Sequence, residues 1–200
     1  MQVILHAIGF SILGYISGSL PFAIWITRLV KGVDVRDSGS GHATTTNTIR
    51  QAGYLPGALV FVLDVAKGFG PTWLALRFAP SAWIVPLTAA MTVIGHCWPV
   101  FADFRGGMGL ATANGSMMAA TPVAILIIFA MLGLLTLLTR HSARASVISG
   151  TLFAPLLWLT GLRGPVLWIG AAVGVVIAFR FLIDWNRKYR ELWLDREKRP

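Results

Sequence analysis

Long stretches without a charged side chain dominate the chain. Aspartate, glutamate, lysine and arginine are all absent from residues 1–26, 78–102, 106–139, 145–162 and 164–179. About 20 consecutive apolar residues suffice for a helix to cross a bilayer, so the pattern predicts an all-α, multi-spanning integral membrane protein. Six apolar segments can be marked, at about 3–30, 55–78, 82–101, 116–139, 146–162 and 165–183. The first is too long for a signal-peptide core and is predicted to be a retained span.

Charge at the ends of these segments predicts an odd number of crossings. The polar loop 31–54 and the tail 180–200 are both rich in Lys and Arg, which favours a cytoplasmic position for both. If the loop after the first span is cytoplasmic, the N-terminus lies outside. A cytoplasmic tail then requires an odd number of crossings, which excludes six spans. The uncharged run 106–139 would make a helix of about 50 Å against a hydrocarbon core of about 30 Å. It is therefore predicted to break, at Gly115 or Pro122, giving five or seven crossings.

The composition is that of a membrane protein with an excess of positively charged side chains. Hydrophobic residues make up 56% of the 200 residues, charged residues 12%, and the mean hydropathy is +0.70. The net charge of +9 indicates retention of cations at the cytoplasmic face, a site for anionic substrates, or both. The lone Cys97 is predicted to be a buried thiol. Without a linker or an internal repeat, residues 1–200 are predicted to form one domain, and its basic tail, with Trp185 and Trp193, an interfacial helix.

Two glycine-rich loops stand out against the apolar background. The first, residues 37–50, includes Gly39-Ser40-Gly41, Asn47 and Arg50, and its backbone N–H groups and guanidinium suit a phosphate. A plain solvent-exposed loop is the alternative. The second, residues 104–112, carries three glycines after Arg105, and a helix beginning near Gly109 would favour an anion. Close packing of helices through small residues is the alternative there.

Four polar residues lie in or beside the apolar segments. Asp64 and Lys67 share a helix face and are predicted to pair with each other, with snorkelling of Lys67 or a catalytic role as alternatives. His96 is predicted to be a packing residue without a metal, since no second ligand stands at useful spacing. Ser146 is predicted to cap a helix or to bind substrate. Neither a G-x-S-x-G elbow, a His-x4-Asp pattern nor a Walker A loop occurs.

Taken together, these residues resemble those of the bacterial acyl-phosphate:glycerol-3-phosphate acyltransferases. Four blocks match that family in order and spacing: Gly39-Ser40-Gly41 with Thr46-Asn47 and Arg50; Leu63-Asp64 with Lys67-Gly68; Gly95-His96 with Pro99-Val100-Phe101; and Phe104 with Gly106-Gly107, Gly109 and Ala111-Thr112. The resemblance covers nearly the whole chain. It implies a bundle of seven transmembrane helices in the bacterial inner membrane, with the N-terminus outside and the active site at the cytoplasmic face.

The resemblance also implies the reaction and the residues that perform it. The family transfers a fatty acyl group from acyl phosphate to the sn-1 hydroxyl of glycerol 3-phosphate, producing lysophosphatidic acid for phospholipid synthesis, without a cofactor, metal or nucleic acid. Ser40 and Arg50 are implied to be catalytic. Seven further residues are implied to bind substrate: Gly39, Gly41, Asn47, His96, Arg105, Gly107 and Ser146.

The chain departs from the family pattern at a few positions. The family has Asn at His42, Gly-Ala at Thr44-Thr45, Lys at Met108, and His and Asn at Phe181 and Asp184. These departures motivate a second hypothesis, a divergent paralogue that binds a phosphorylated lipid or a partner protein without turnover. A small transporter is a third, and it would use Asp64 and Lys67 along a path through the midplane.

Overall fold

A computed structural model describes residues 1–187 of the protein. Within them the chain forms nine α-helices and no strand. The helices are α1 Gln2–Gly18, α2 Phe22–Lys31, α3 Thr45–Ala52, α4 Tyr54–Phe78, α5 Ile84–Cys97, α6 Leu110–Ala120, α7 Val123–Thr139, α8 Ser142–Leu159 and α9 Pro165–Ile183. Five helical stretches are long and apolar enough to cross a membrane, and α7 is a shorter apolar helix. The predicted all-α membrane class is confirmed.

The bundle is built from three closely packed helix pairs, α1 with α5, α4 with α6, and α8 with α9, and α5 also packs along α9. Glycine permits the close approach of these pairs. A Cβ on Gly18 would lie 2.0 Å from the Thr92 carbonyl oxygen, and one on Gly115 would lie 2.0 Å from that of Val65. Since apolar burial does not drive helices together inside lipid, such close van der Waals contact is a main source of their association.

Two apolar segments are interrupted at a proline. The sequence predicted one of these helix breaks and not the other. The run 106–139 breaks at Pro122, between α6 and α7, as predicted. The prediction of Gly115 as a break was wrong, because Gly115 lies inside α6 as a packing contact with α4. The segment 3–30 was expected to be continuous, yet it breaks at Ser19–Pro21 into α1 and α2. The Lys67 ammonium donates a hydrogen bond to the Leu20 carbonyl at this break, over 2.9 Å.

A third proline, Pro71, is accommodated inside α4. Proline lacks an N–H, so the carbonyl four residues earlier loses its helical partner. That carbonyl belongs to Lys67, and the Ser17 hydroxyl of α1 donates to it over 3.1 Å. A side chain from a neighbouring helix thus satisfies the backbone group that proline leaves unpaired within the membrane.

The polar segments meet at one end of the bundle. The first glycine loop, the second glycine loop, the α7–α8 turn and the end of α9 all lie there. The predicted interfacial tail is only partly described: Arg180 belongs to α9 and is buried, whereas Trp193 lies outside the described residues. A small apolar cluster joins the first loop to α2 and α4, and it contains Ala23, Ile24, Val35, Ala43, Val60 and Ala102.

Candidate active site

The first glycine loop is folded around the side chain of Asn47. The Asn47 amide nitrogen lies within hydrogen-bond distance of three loop carbonyls, those of Val35 at 2.6 Å, Ser38 at 3.1 Å and His42 at 3.1 Å. Its amide oxygen accepts from the Ser40 backbone N–H over 3.2 Å. The side chain is fully buried. Asn47 therefore fixes the loop from its centre, and all its polar atoms are engaged in doing so.

Gly39 and Gly41 give the loop its tight course around this amide. Both have positive φ, 63° and 68°, a region that side chains rarely adopt. A Cβ on Gly39 would also lie 2.1 Å from the Asn47 amide oxygen. The two glycines shape the loop around Ser40.

Within residues 1–187, Ser40 and Arg50 have buried polar atoms without a partner beside a common cavity. Both line it, and the Ser40 Oγ and Arg50 Nε atoms are buried without a hydrogen-bond partner among the described residues. Buried donors and acceptors are almost always satisfied in folded proteins. An anion or hydroxyl group of a ligand would satisfy both.

The second glycine loop is held by backbone hydrogen bonds to the end of α5. The Gly107 N–H donates to the His96 carbonyl over 3.1 Å, and the Gly106 carbonyl accepts from the Ala43 N–H of the first loop over 3.3 Å. A Cβ on Gly107 would lie 2.2 Å from His96 Nε2. Gly107 is thus the point at which the two loops and His96 come together.

Arg36 ties the same loops together on their outer side, a role that the sequence did not suggest. It donates to both carboxylate oxygens of Asp34 and to the Ala102 carbonyl over 2.8 Å. Burial alone would raise the pKa of Asp34, but the hydrogen bonds and charge of Arg36 outweigh it and lower the pKa to about 2. Arg105, by contrast, is exposed and lies outside the cavity lining.

A buried ionic cluster lies below the loops. The Lys67 ammonium lies 2.8 Å from Asp64, which confirms the predicted pair, and His96 Nδ1 lies 3.6 Å from the same carboxylate oxygen. All three side chains are almost completely buried, so Lys67 does not snorkel. His96 and Asp64 line the cavity. Within residues 1–187, no three His, Cys, Asp or Glu side chains cluster in a way that suits a metal ion.

The cavity has a volume of about 710 Å³ and two different walls. Its polar wall includes Ser40, Arg50, Asp64, His96, Asn114 and Ser146. Its apolar wall comes mainly from one face of α7 with α4 and α6, and includes Phe61, Leu110, Phe129, Leu132, Gly133 and Leu137. Such a volume suits a ligand with a polar head and an apolar chain.

The predicted site residues divide into three groups by position. Four line the cavity, namely Ser40, Arg50, His96 and Ser146. Four others shape the loops behind the cavity wall, namely Gly39, Gly41, Asn47 and Gly107. Arg105 lies outside the cavity lining. The interpretation of Ser146 as a helix cap was wrong, because α8 begins at Ser142 and Ser146 is buried one turn inside it.

Asn114 is a cavity residue that sequence reasoning missed. It is buried in α6, lines the cavity, and its Oδ1 atom has no hydrogen-bond partner in the described part of the chain. The available signal was an amide in the middle of the uncharged run 106–139, where polar side chains are costly and tend to face a site.

The residues that depart from the family pattern also lie at the site. Met108 and Phe181 are buried, belong to one apolar cluster and line the cavity. His42 Nε2 lies 3.1 Å from an Asp184 carboxylate oxygen. Burial, together with the nearby Arg180, lowers the pKa of His42 to about 4 despite the opposing effect of Asp184. His42 is therefore neutral at pH 7, and its Nε2 atom also lies 3.4 Å from Arg187 Nη1.

Comparison with known proteins decides the family. The model of the glycerol-3-phosphate acyltransferase family matches residues 8–192. The chain belongs to the glycerol-3-phosphate acyltransferase family. It is 39% identical over 181 residues to the glycerol-3-phosphate acyltransferase of Aquifex aeolicus (strain VF5), a match that covers 88% of this chain and 92% of that one. The resemblance read from the four sequence blocks is confirmed, as is the class of enzyme that it implied.

Solved structures of a glycerol-3-phosphate acyltransferase share the fold. The chain resembles the crystal structure of PlsY (YgiH), an integral membrane glycerol 3-phosphate acyltransferase, in its glycerol 3-phosphate form, with a TM-score of 0.78 and 36% identity over 90% of each chain. The lysophosphatidic acid form of the same enzyme aligns with a TM-score of 0.77, 35% identity and the same coverage. The family fold therefore extends across nine tenths of this protein.

Proposed function

We propose that this glycerol-3-phosphate acyltransferase transfers a fatty acyl group from acyl phosphate to the sn-1 hydroxyl of glycerol 3-phosphate, producing lysophosphatidic acid. One observation carries the proposal: a single cavity joins an arginine and a serine with unsatisfied polar atoms to an apolar wall. An acyl phosphate needs both surfaces. The solved relative has glycerol 3-phosphate and lysophosphatidic acid forms, which correspond to the acceptor and the product.

Positioning and charge stabilisation are the tasks of the polar wall. Arg50 and Ser40 bind phosphate oxygens, and Ser146 and Asn114 lie across the same cavity to orient the acceptor. The acceptor oxygen attacks the acyl carbon and forms the ester bond as the bond from that carbon to the phosphate oxygen breaks. The hydroxyl proton passes to the departing phosphate. Because acyl phosphate is already activated, this sequence requires no protein nucleophile.

The apolar wall binds the acyl chain. Phe129, Gly133 and Leu137 follow one another at intervals of four residues along α7, with Leu132 and Thr136 beside them, as expected for one side of a helix. Val123, Leu126, Leu134 and Leu138 of α7 are exposed and only Ala124 of this helix is buried, in the manner of a helix that faces lipid. The donor and the lipid product therefore exchange with the surrounding membrane along this helix.

Charge supports a proposed arrangement in the membrane. The proposal is one domain over residues 1–200 with seven crossings, formed by α1 and α4–α9, in the bacterial inner membrane. The loop end carries most cations of the described residues, including Lys31, Arg36, Arg50, Arg105, Arg140 and Arg144, whereas the opposite end carries Arg77 and Arg163. The positive-inside rule therefore places the site in the cytoplasm and the N-terminus outside.

The test is acyl transfer by the purified protein in lipid, from palmitoyl phosphate to labelled glycerol 3-phosphate. Arg50→Ala should reduce turnover by at least about 100-fold, because a charged hydrogen bond to phosphate is lost. Arg77→Ala, at the exposed far end of α4, is the matched control and should keep wild-type activity. Full turnover by Arg50→Ala would refute the proposed role of the cavity.

A non-catalytic paralogue is the second candidate, and the buried pair Met108 and Phe181 favours it. Both apolar side chains lie on the cavity where the family has Lys and His. A wild-type protein that binds glycerol 3-phosphate without turnover, together with activity in Met108→Lys, would favour this candidate. Turnover by the wild type would exclude it.

A further inference from the structure

The end of α9 lies directly beneath both glycine loops. Arg180, in the last turn of α9, donates through Nε to the Gly107 carbonyl of the second loop over 3.2 Å. Arg187, just beyond the helix, donates to the Ser40 carbonyl of the first loop. Each loop thus has a backbone carbonyl bound by an arginine from the same short segment.

Asp184 lies between these two arginines. One of its carboxylate oxygens accepts from Arg180 over 3.2 Å and lies 3.1 Å from His42 Nε2, and the other lies 3.6 Å from Arg187. The Asp184 side chain is only 12% exposed. A single carboxylate, largely shielded from solvent, therefore contacts the first loop through His42 and orients the arginines that bind both loops.

We propose that Asp184 is a positioning residue that clamps the two glycine loops to the end of α9 and so sets the geometry of the phosphate-binding wall. The predicted effect of Asp184 on acyl-transfer kinetics rests on the proposed function. The predicted effect of Asp184 on the order of the two loops does not. A carboxylate that only lowered the local positive potential would weaken anion binding. A carboxylate that orders the loops strengthens it, because ligand groups then meet a preorganised site.

These two roles predict opposite effects of Asp184→Asn. If Asp184 acts as a clamp, the variant loosens both loops, raises the KM for glycerol 3-phosphate and lowers kcat/KM by between about 10- and 100-fold. If only its charge matters, the variant adds positive potential and lowers that KM. Asp103→Asn is the matched control, since it removes the same charge from the same end of the bundle at a side chain that is 88% exposed.

Loop order supplies a readout that is independent of turnover. Hydrogen–deuterium exchange in lipid should be faster in peptides covering residues 37–47 and 104–110 of Asp184→Asn, and unchanged in Asp103→Asn. Unchanged exchange in both peptides of Asp184→Asn would overturn the clamp, as would a lowered KM. A wild type without acyl transfer would refute the proposed function instead, and the exchange result would still decide the clamp.

A double-mutant cycle tests whether His42 belongs to the clamp. His42→Asn and Asp184→Asn should each lower kcat/KM, and the double variant should lose little more than the worse single variant, because both changes break the same contact. Strictly multiplicative losses would remove His42 from the proposal and leave Asp184 acting through the arginines alone.

Discussion

The two walls of the cavity are built in opposite ways. The polar wall combines Ser40 of the first loop with side chains from five helices, and buried hydrogen bonds hold the loops behind it, with Asn47 at the centre of the first loop and His96 beneath the second. The apolar wall is a face of α7, a helix whose only buried residue is Ala124. The reacting groups are thus held rigidly, whereas the wall assigned to the acyl chain adjoins the lipid. Changes to the polar wall should affect every substrate, and changes to the apolar wall should discriminate between acyl chains.

The largest effect is expected from Asn47→Ala. This change removes the common donor of the Val35, Ser38 and His42 carbonyls and leaves the Ser40 N–H without its side-chain acceptor, and a buried unsatisfied group costs about 1–3 kcal/mol. Acyl transfer should fall below detection for all chain lengths, with a lower unfolding temperature in detergent. Gln51→Ala is the control: Gln51 also donates to Val35 and Ser38, but from a partly exposed position, and should cost less than about 1 kcal/mol. Equal losses in both variants would contradict the central role of Asn47.

Gly107→Ala should have the next largest effect. The added methyl would lie 2.2 Å from His96 Nε2 and 2.5 Å from the Ala43 carbonyl oxygen, so the two loops must separate. Overpacking of this kind costs about 1–3 kcal/mol, and kcat/KM should fall by about 10- to 100-fold. Gly70→Ala, in a helix position where a Cβ meets nothing within 4 Å, should leave activity unchanged. A fully active Gly107→Ala enzyme would show that the loops need not be in contact.

Gly133→Phe should change the apolar wall alone. A Cβ on Gly133 meets nothing within 4 Å, so a bulky side chain can enter the cavity without disturbing α7. Each methylene displaced from the wall costs about 0.8 kcal/mol, so turnover with palmitoyl phosphate should fall by about tenfold relative to octanoyl phosphate. Leu134→Phe, on the exposed side of the same helix, is the control. Equal losses for both donors would place the acyl chain elsewhere.

The smallest effect concerns the pH dependence of stability at His42. Its pKa is lowered to about 4 in the folded protein, against 6.5 ordinarily, mainly by burial and then by Arg180. Between these values the unfolded chain binds a proton that the folded protein does not, so the free energy of unfolding falls as the pH falls from about 6.5 to about 4. His42→Asn should flatten this part of the curve in thermal unfolding, whereas His6→Asn, at an exposed position of α1, should not. An unaltered slope in His42→Asn would show that other groups set it.

The sequence by itself determined the class of protein, its family and most of the polar wall. Uncharged stretches longer than a bilayer requires leave few alternatives to a helical membrane protein. Pro122 was one of two break points that the uncharged run 106–139 offered, and the helices α6 and α7 meet there. Ser40 and Arg50 could be named because their glycine-rich loop is conspicuous in apolar surroundings, whereas the resemblance to the family was needed to name His96 and Ser146 as site residues.

Tertiary structure decided how these residues are divided between binding and support. Asn47 was expected to contact substrate, yet its amide is used to fold the loop, and Gly115 was expected to break a helix that it instead packs against α4. Asn114 gained its place on the cavity, and His42 and Asp184 became neighbours, only through folding. Hydrogen bonds and close contacts between residues as far apart as 147 positions depend on how the helices pack, and no local pattern records that packing.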